Sequence, residues 1–137
     1  MDREQALNTL TAQVRACTAC PLHRSRTIAV PGDGPVDALI MFVGEAPGFH
    51  EDQQGIPFVG TAGRFLNELL EKSGIDRRHV YITNVIKCRP PGNRDPEIDE
   101  VSACKHFLDA QIELIAPKVV VTLGRHSMAR AFTEEKI

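Results

Sequence analysis

A chain of 137 residues, 42% apolar and 25% charged, carries enough apolar surface for one packed domain and excludes a disordered segment. Its formal charge of −2 excludes a globally basic, nucleic-acid-coating surface, so any such partner must be held by local patches. The longest apolar runs, residues 38–43 and 119–123, are strand-sized and far short of a membrane span, so a soluble, cytoplasmic monomer with no membrane partner is expected.

Residues 2–16 place Leu7, Leu10 and Val14 at helical spacing, and the helix is expected to stop where Cys20-Pro21 removes a donor. Pro31-Gly32-Asp33-Gly34-Pro35 is a turn cluster. Residues 38–43 are apolar throughout, as in a strand buried on both faces, and end at Gly44. A loop over 44–60 leads into a helix from Thr61, whose apolar positions recur at three and four until Gly74 stops it. The β-branched run 80–86 predicts a second strand, followed by the loop Cys88-Arg89-Pro90-Pro91-Gly92-Asn93-Arg94. Asp95 as cap with Pro96 behind it predicts a helix with Ile98, Val101, Cys104, Leu108, Ile112 and Ile115 facing inward. Residues 119–123 form a further buried strand, and Gly124 turns into a short helix from about Arg125.

Alternating strands and helices predict an α/β fold: a three-layer α/β/α domain over residues 1–137 with a mainly parallel central sheet. Ligands of such sheets sit beyond the carboxyl ends of the strands, so Gly44-Glu45-Ala46-Pro47-Gly48, Asn84 and Gly124-Arg125 are expected to converge. The first tip lacks the G-x-G-x-x-G spacing of a dinucleotide site, and its helix begins too late to meet a pyrophosphate. Its glycines instead permit close approach to a flat ligand, with Glu45 as a carboxylate, Phe58 as an aromatic face and Asn84 as paired donor and acceptor. Taken singly, Phe58 also suits an ordinary core and Asn84 a loop-bracing role.

The four cysteines stand as Cys17-x-x-Cys20, Cys88 and Cys104, a pair plus two distant singles with none left over. That pattern suits one four-thiolate site, holding either a cubane iron-sulfur cluster or a structural zinc. Buried thiols or disulfides are the alternatives; the first residues show no secretory pattern, so a reducing compartment is expected and disulfides are disfavoured there. A thiol oxidoreductase fits less well, because the pair closes a helix rather than opening one after a strand.

Cys17-x-x-Cys20, the Gly44-Glu45-Ala46-Pro47-Gly48 loop running to Glu51-Asp52, Pro57-Phe58-Val59-Gly60, Tyr81-Ile82-Thr83-Asn84 and Lys87-Cys88-Arg89-Pro90-Pro91 together resemble family 4 uracil-DNA glycosylases, in order and over nearly the whole chain. The resemblance implies a structural [4Fe-4S] cluster on Cys17, Cys20, Cys88 and Cys104, with zinc as the lesser alternative. It implies uracil-containing DNA as substrate, with hydrolysis of the N-glycosidic bond leaving an abasic site. Gly44, Glu45 and Ala46 would line the uracil site, Phe58 would stack on the base and Asn84 would read its polar edge. Supporting a cation-like sugar or positioning the water calls for a catalytic carboxylate, for which Glu45 is the choice, with Glu51 and Asp52 as neighbours that otherwise read as a solvated loop.

The family's leaving-group donor, a histidine in a later His-Pro-(Ser/Ala) motif, has no counterpart through Ile137, and His106 and His126 lack the right neighbours. A shortened sequence is therefore expected, with a C-terminally incomplete sheet and a loss of roughly 100- to 1000-fold in rate. A noncatalytic cluster-bearing module that binds DNA or a base is the competing reading. A related enzyme trapped covalently on its product is disfavoured, because the compact loop after Cys88 replaces that group's inserted basic loop. Local phosphate contacts are expected from Arg89, Arg94 and Arg125, with His23, Arg24, Arg26 and Lys87 adding to basic patches around the cysteines.

Overall fold

A computed structural model describes residues 2–124. Helix α1 spans Arg3–Ala16, opened by a capping box between Asp2 and Gln5 and closed at Cys17, whose ψ of 133° leaves the helix. The stop thus comes before the expected Cys20-Pro21, and Pro21 instead opens a 3-10 turn, Pro21–Arg24. Strand β1 is Ile40–Gly44, starting two residues later and ending one later than the expected run; Leu39 precedes it and is 60% exposed.

A short helix α2, Phe49–Gln54, lies within the expected loop. At its N-terminus the Glu51 carboxylate accepts the Gly48 amide, and Gly55 ends it at φ 73°. Helix α3, Thr61–Lys72, buries Leu66 and Leu70, and Gly74 follows at φ 72°, where the sequence placed the stop. Strand β2, Tyr81–Asn84, is shorter than expected; Val85 and Ile86 leave the ladder and donate their amides to the carbonyls of Gly44 and Glu45, 3.0 Å each. Helix α4 is Ile98–Ile115, capped by Glu97 rather than by Asp95, so Ile98 lies in its first turn at 83% exposure instead of in the core. Strand β3, Val119–Thr122, closes the described chain; it was expected buried, but it lies at an edge of the described sheet with Val119 51% exposed. The short helix expected from Arg125, and with it Arg125 and His126, lie outside the described residues.

The strands pair in parallel in the order β2-β1-β3, with Gly44 opposite Asn84 and Val43 opposite Thr122. Period-two alternation sorts the two faces. Met41, Val43 and Tyr81 join Leu7 and Val14 of α1 and Phe107, Leu108 and Ile115 of α4 in one core. Phe42, Val80 and Ile82 meet Leu66 and Leu70 of α3 in the other. The layers are therefore α1 and α4, sheet, α3, which is the α/β architecture the alternation predicts. The outer edge of β2 is covered by a bridge to Asp33, whose amide and carbonyl both pair with Ile82 at 2.9 Å. Because β2 and β3 flank β1 on opposite sides, a crevice opens beyond the carboxyl ends of the strands.

Candidate functional site

The strand register places Gly44 beside Asn84 at that crevice. A Cβ built on Gly44 would lie 2.5 Å from Asn84 Oδ1 and 2.5 Å from the Phe58 ring, so only glycine lets the carboxamide and the aromatic approach each other here. Ala46, Gly48, Glu51, Phe58, Ala62 and Asn84 line a cleft of about 210 Å³. That is smaller than the clefts that take drug-sized ligands, and suits a single flat heterocycle. Asn84 is 2% exposed, and its Oδ1 is the buried side-chain oxygen left without a partner among the described residues. An orphaned buried acceptor costs about 1–3 kcal/mol, a penalty that a ligand N–H in the cleft would remove.

Phe58 holds its ring over this cleft from a left-handed backbone, φ 54°. Two braces keep it there. Arg77 donates to the carbonyls of Pro57 and Phe58 at 2.8 and 2.9 Å and to Asn67 Oδ1 at 2.6 Å; burial lowers its pKa while Asp33 opposes that shift. Glu51 accepts the amides of Gly48 at 3.0 Å, Val59 at 2.9 Å and Gly60 at 2.7 Å. Glu51 is thus a backbone clamp between the two loops. Asp52 is 2% exposed and accepts the Thr27 amide at 2.8 Å, so neither carboxylate belongs to a solvated loop. The sequence offered a sign of Glu51's role in the glycine three residues before it, the spacing of a helix-opening box. It offered none for Arg77, which stands in a basic run that reads as solvated.

Glu45 occupies the neighbouring tip, half-buried, with Oε1 where a Cβ on Gly124 would fall within 2.7 Å. The tips of β1, β2 and β3 therefore do converge. Ala46, Phe58 and Asn84 line the cleft, Gly44 lies against the last two, and Glu45 stands toward Gly124.

On the opposite face all four cysteines border one cavity, together with Val14, Leu22, Ile86 and Phe107. They are free thiols, and hydrogen bonds reach three of the sulfurs: Arg26 Nη1 to Cys88 Sγ at 3.0 Å, the Lys87 amide to Cys104 Sγ at 3.4 Å and the Ala19 amide to Cys17 Sγ at 3.5 Å. Burial pushes the Cys104 thiol up to about 11 and raises Cys88 as well, the latter against the pull of Arg26. Loading a metal must therefore drive protons off these sulfurs. No group of three or more His, Cys, Asp or Glu among the described residues is arranged around a single metal ion.

The basic patches expected around the cysteines are largely spoken for. Lys87 is 1% exposed, and its ammonium donates to Thr83 Oγ1 at 2.6 Å, Gln111 Oε1 at 2.8 Å and the Asn84 carbonyl at 2.5 Å, while burial lowers its pKa to about 7. Arg26 turns inward to Cys88. Arg94 forms a two-pronged pair with Glu100, 2.8 Å at each contact, so it brackets the start of α4 rather than waiting for a phosphate. Of the three arginines expected to meet DNA, Arg89 alone remains at the crevice rim among the described residues, with its guanidinium over Phe49.

A sequence model described as "Uracil DNA glycosylase superfamily" matches residues 31–136. The type-4 uracil-DNA glycosylase of Thermotoga maritima is 54% identical over 127 residues, covering 93% of this chain and 66% of its own length. The type-4 uracil-DNA glycosylase of Sulfurisphaera tokodaii is 52% identical over 130 residues, covering 94% of this chain and 59% of its own length. A type-5 uracil-DNA glycosylase of Thermus thermophilus is more distant, at 33% identity over 91% of the chain. The chain thus spans 59–66% of the two type-4 relatives.

Proposed function

Because the chain belongs to the uracil DNA glycosylase superfamily, we propose that it is the base-reading and cluster-bearing part of an enzyme that excises uracil from DNA. The observation that carries this reading is the Oδ1 of Asn84, partnerless among the described residues and buried against Phe58 and Gly44. Uracil supplies what is missing: its N3–H donates to Oδ1 while its O4 accepts from the amide nitrogen of the same side chain. Cytosine in that pose would set its exocyclic amine against the Asn84 N–H and leave Oδ1 unpaired. Flipping the nucleotide out of its stack costs a few kcal/mol, which stacking on Phe58 at roughly 1–3 kcal/mol and these hydrogen bonds offset.

Hydrolysis breaks the bond between C1′ and the base nitrogen, with the electron pair leaving on uracil; the water oxygen then bonds C1′ and gives up a proton, and the uracil anion takes one up from solvent. Glu45, at the adjoining tip, would balance the cation-like sugar or orient that water. The alternative, a noncatalytic iron-sulfur-bearing module that binds DNA or a base, is not favoured, because the relatives that the chain matches are named as glycosylases.

The donor set on the other face fits an iron-sulfur cluster better than zinc. Four thiols share one cavity and N–H bonds reach three of their sulfurs, yet among the described residues no three ligands are gathered for one ion, and a cubane spreads its four thiolates over four separate irons. Cys17, Cys20, Cys88 and Cys104 would hold it, tying the end of α1 to the loop after β2 and to α4. Its contribution when bound is structural cross-linking. The same reading takes residues 1–137 as one domain working as a cytoplasmic monomer; no helix of the described residues is long and apolar enough to cross a membrane.

Calorimetric titration with free uracil, cytosine and thymine, alongside release of uracil from an oligonucleotide and iron and sulfide analysis, tests the proposal. Uracil is expected to bind in preference to cytosine and to lose that preference when Asn84 is changed. Equal affinity for the bases would overturn it, and stoichiometric zinc without sulfide would overturn the cluster.

A further inference from the structure

Phe49 is the first residue of α2, between Gly48 and Glu51 of the cleft wall, yet it is 52% exposed. A lone exposed aromatic is ordinary. This one is ordered by its neighbours. The Arg89 guanidinium lies 5.4 Å from its ring centroid, a cation over a π-face, and Arg89 Nε donates to Asn93 Oδ1 at 2.7 Å, which fixes the plane of the guanidinium. His50 meets the ring edge-on at 5.4 Å. The stack joins the loop after β1 to the loop that carries Cys88, so two elements that shape the site converge on it. Unlike Arg26, which meets the Cys88 thiol, and Arg94, which meets the Glu100 carboxylate, Arg89 meets neither kind of group among the described residues.

We propose that Phe49 and Arg89 form a nucleotide platform at the rim of the cleft, stacking a base next to the extruded one and meeting its phosphate. The inference rests on the cleft being the uracil site, since it extends that site along the DNA strand. A π-face and a cation suit any nucleotide, so the platform carries no sequence preference. It supplies polymer affinity that a chain with a formal charge of −2 does not draw from an overall field. It also separates two tasks: Asn84 and Phe58 choose the base, while Phe49 and Arg89 hold the strand.

The test compares Phe49→Ala, Phe49→Trp and Arg89→Gln with the parent on three probes: free uracil, a short single-stranded oligonucleotide without uracil, and the same oligonucleotide with one uracil. Phe49→Ala is expected to weaken both oligonucleotides by about 5- to 100-fold, the range of a lost base–aromatic stack. Phe49→Trp is expected to restore them, with free uracil binding unchanged throughout. Arg89→Gln is expected to lower the slope of log affinity against log salt by about 1. Oligonucleotide affinity within about twofold of the parent in Phe49→Ala, or no binding of the uracil-free strand by the parent, would overturn the platform. An equal loss for free uracil and oligonucleotide would overturn it too, showing Phe49 to be a support of the cleft. Failure of the parent to bind free uracil would instead remove the reading on which the platform rests.

Discussion

Replacing Glu51 by Gln keeps the size of the side chain and removes one of its two acceptor oxygens. Oε1 takes the Gly48 amide at 3.0 Å, and Oε2 takes those of Val59 and Gly60 at 2.9 and 2.7 Å. In its better orientation the glutamine oxygen stays on Val59 and Gly60, and its NH₂ then faces the Gly48 N–H, donor against donor. One charge-assisted hydrogen bond is lost and two become neutral, against about 1.5–3 kcal/mol for each bond to a charge. Because Glu51 is half-buried rather than sealed, water repairs part of the deficit, and a destabilisation of about 2 kcal/mol is expected. That is a sizeable part of a typical 5–15 kcal/mol of folding stability, small enough for the variant to fold and large enough to measure. Urea denaturation followed by circular dichroism reads it. Uracil affinity is expected to fall in parallel, since Val59 and Gly60 directly follow Phe58. A stability change under about 0.5 kcal/mol with unaltered uracil affinity would refute the clamp, because surface substitutions fall in that range.

Three further changes probe the rest of the molecule. Asn84→Asp replaces the donor that uracil O4 requires by a second acceptor; uracil affinity is expected to drop about 10- to 100-fold and the preference over cytosine to shrink, as read by titration with both bases. Gly44→Ala is sterically local, since its Cβ would fall 2.5 Å from both Asn84 Oδ1 and Phe58; uracil binding is expected to fall at least tenfold, with a stability loss of about 1–3 kcal/mol in the same urea assay. The Glu100 carboxyl is held below its ordinary 4.5, chiefly by the hydrogen bond from Arg94. Its stabilising share is therefore complete above 4.5 and disappears as pH falls through the lower folded-state value. Arg94→Gln is expected to flatten that acid loss in urea midpoints, and an unchanged acid profile would contradict the bracket.

The elements with local signatures were legible. The spacing of Leu66 and Leu70, the stop at Gly74 and the apolar strands announced α3 and the parallel sheet, and the ends of those strands located Gly44 and Asn84. Short-range misreadings had local causes as well. Helix α2 has six residues, too few for periodicity, although Gly48, Glu51 and Gly55 punctuate it. Asp95-Pro96 imitated a helix start, but the Glu97–Glu100 box captured it and moved Ile98 to the surface. Lys87, Arg26 and Arg94 looked like a basic surface because charge in sequence does not reveal its partners. Each met them across the fold or a turn away: Gln111, Cys88 and Glu100 respectively.

The same distinction explains how the cleft stays poised. Its two ligand-facing features are both unfavourable in isolation: a left-handed backbone at Phe58, costing about 1–3 kcal/mol, and an orphaned oxygen on Asn84, costing a similar amount. Neither would persist in a loose loop, which would relax φ and turn the carboxamide toward water. What opposes relaxation lies outside both residues. Arg77 fixes the Phe58 carbonyl from beyond α3, Glu51 fixes the two amides that follow it, and the Lys87 ammonium fixes the Asn84 carbonyl from the cysteine side of the sheet. The proposed recognition residues can thus be read from a local motif. Their readiness to bind depends on three charged side chains whose roles appear only once the chain is folded.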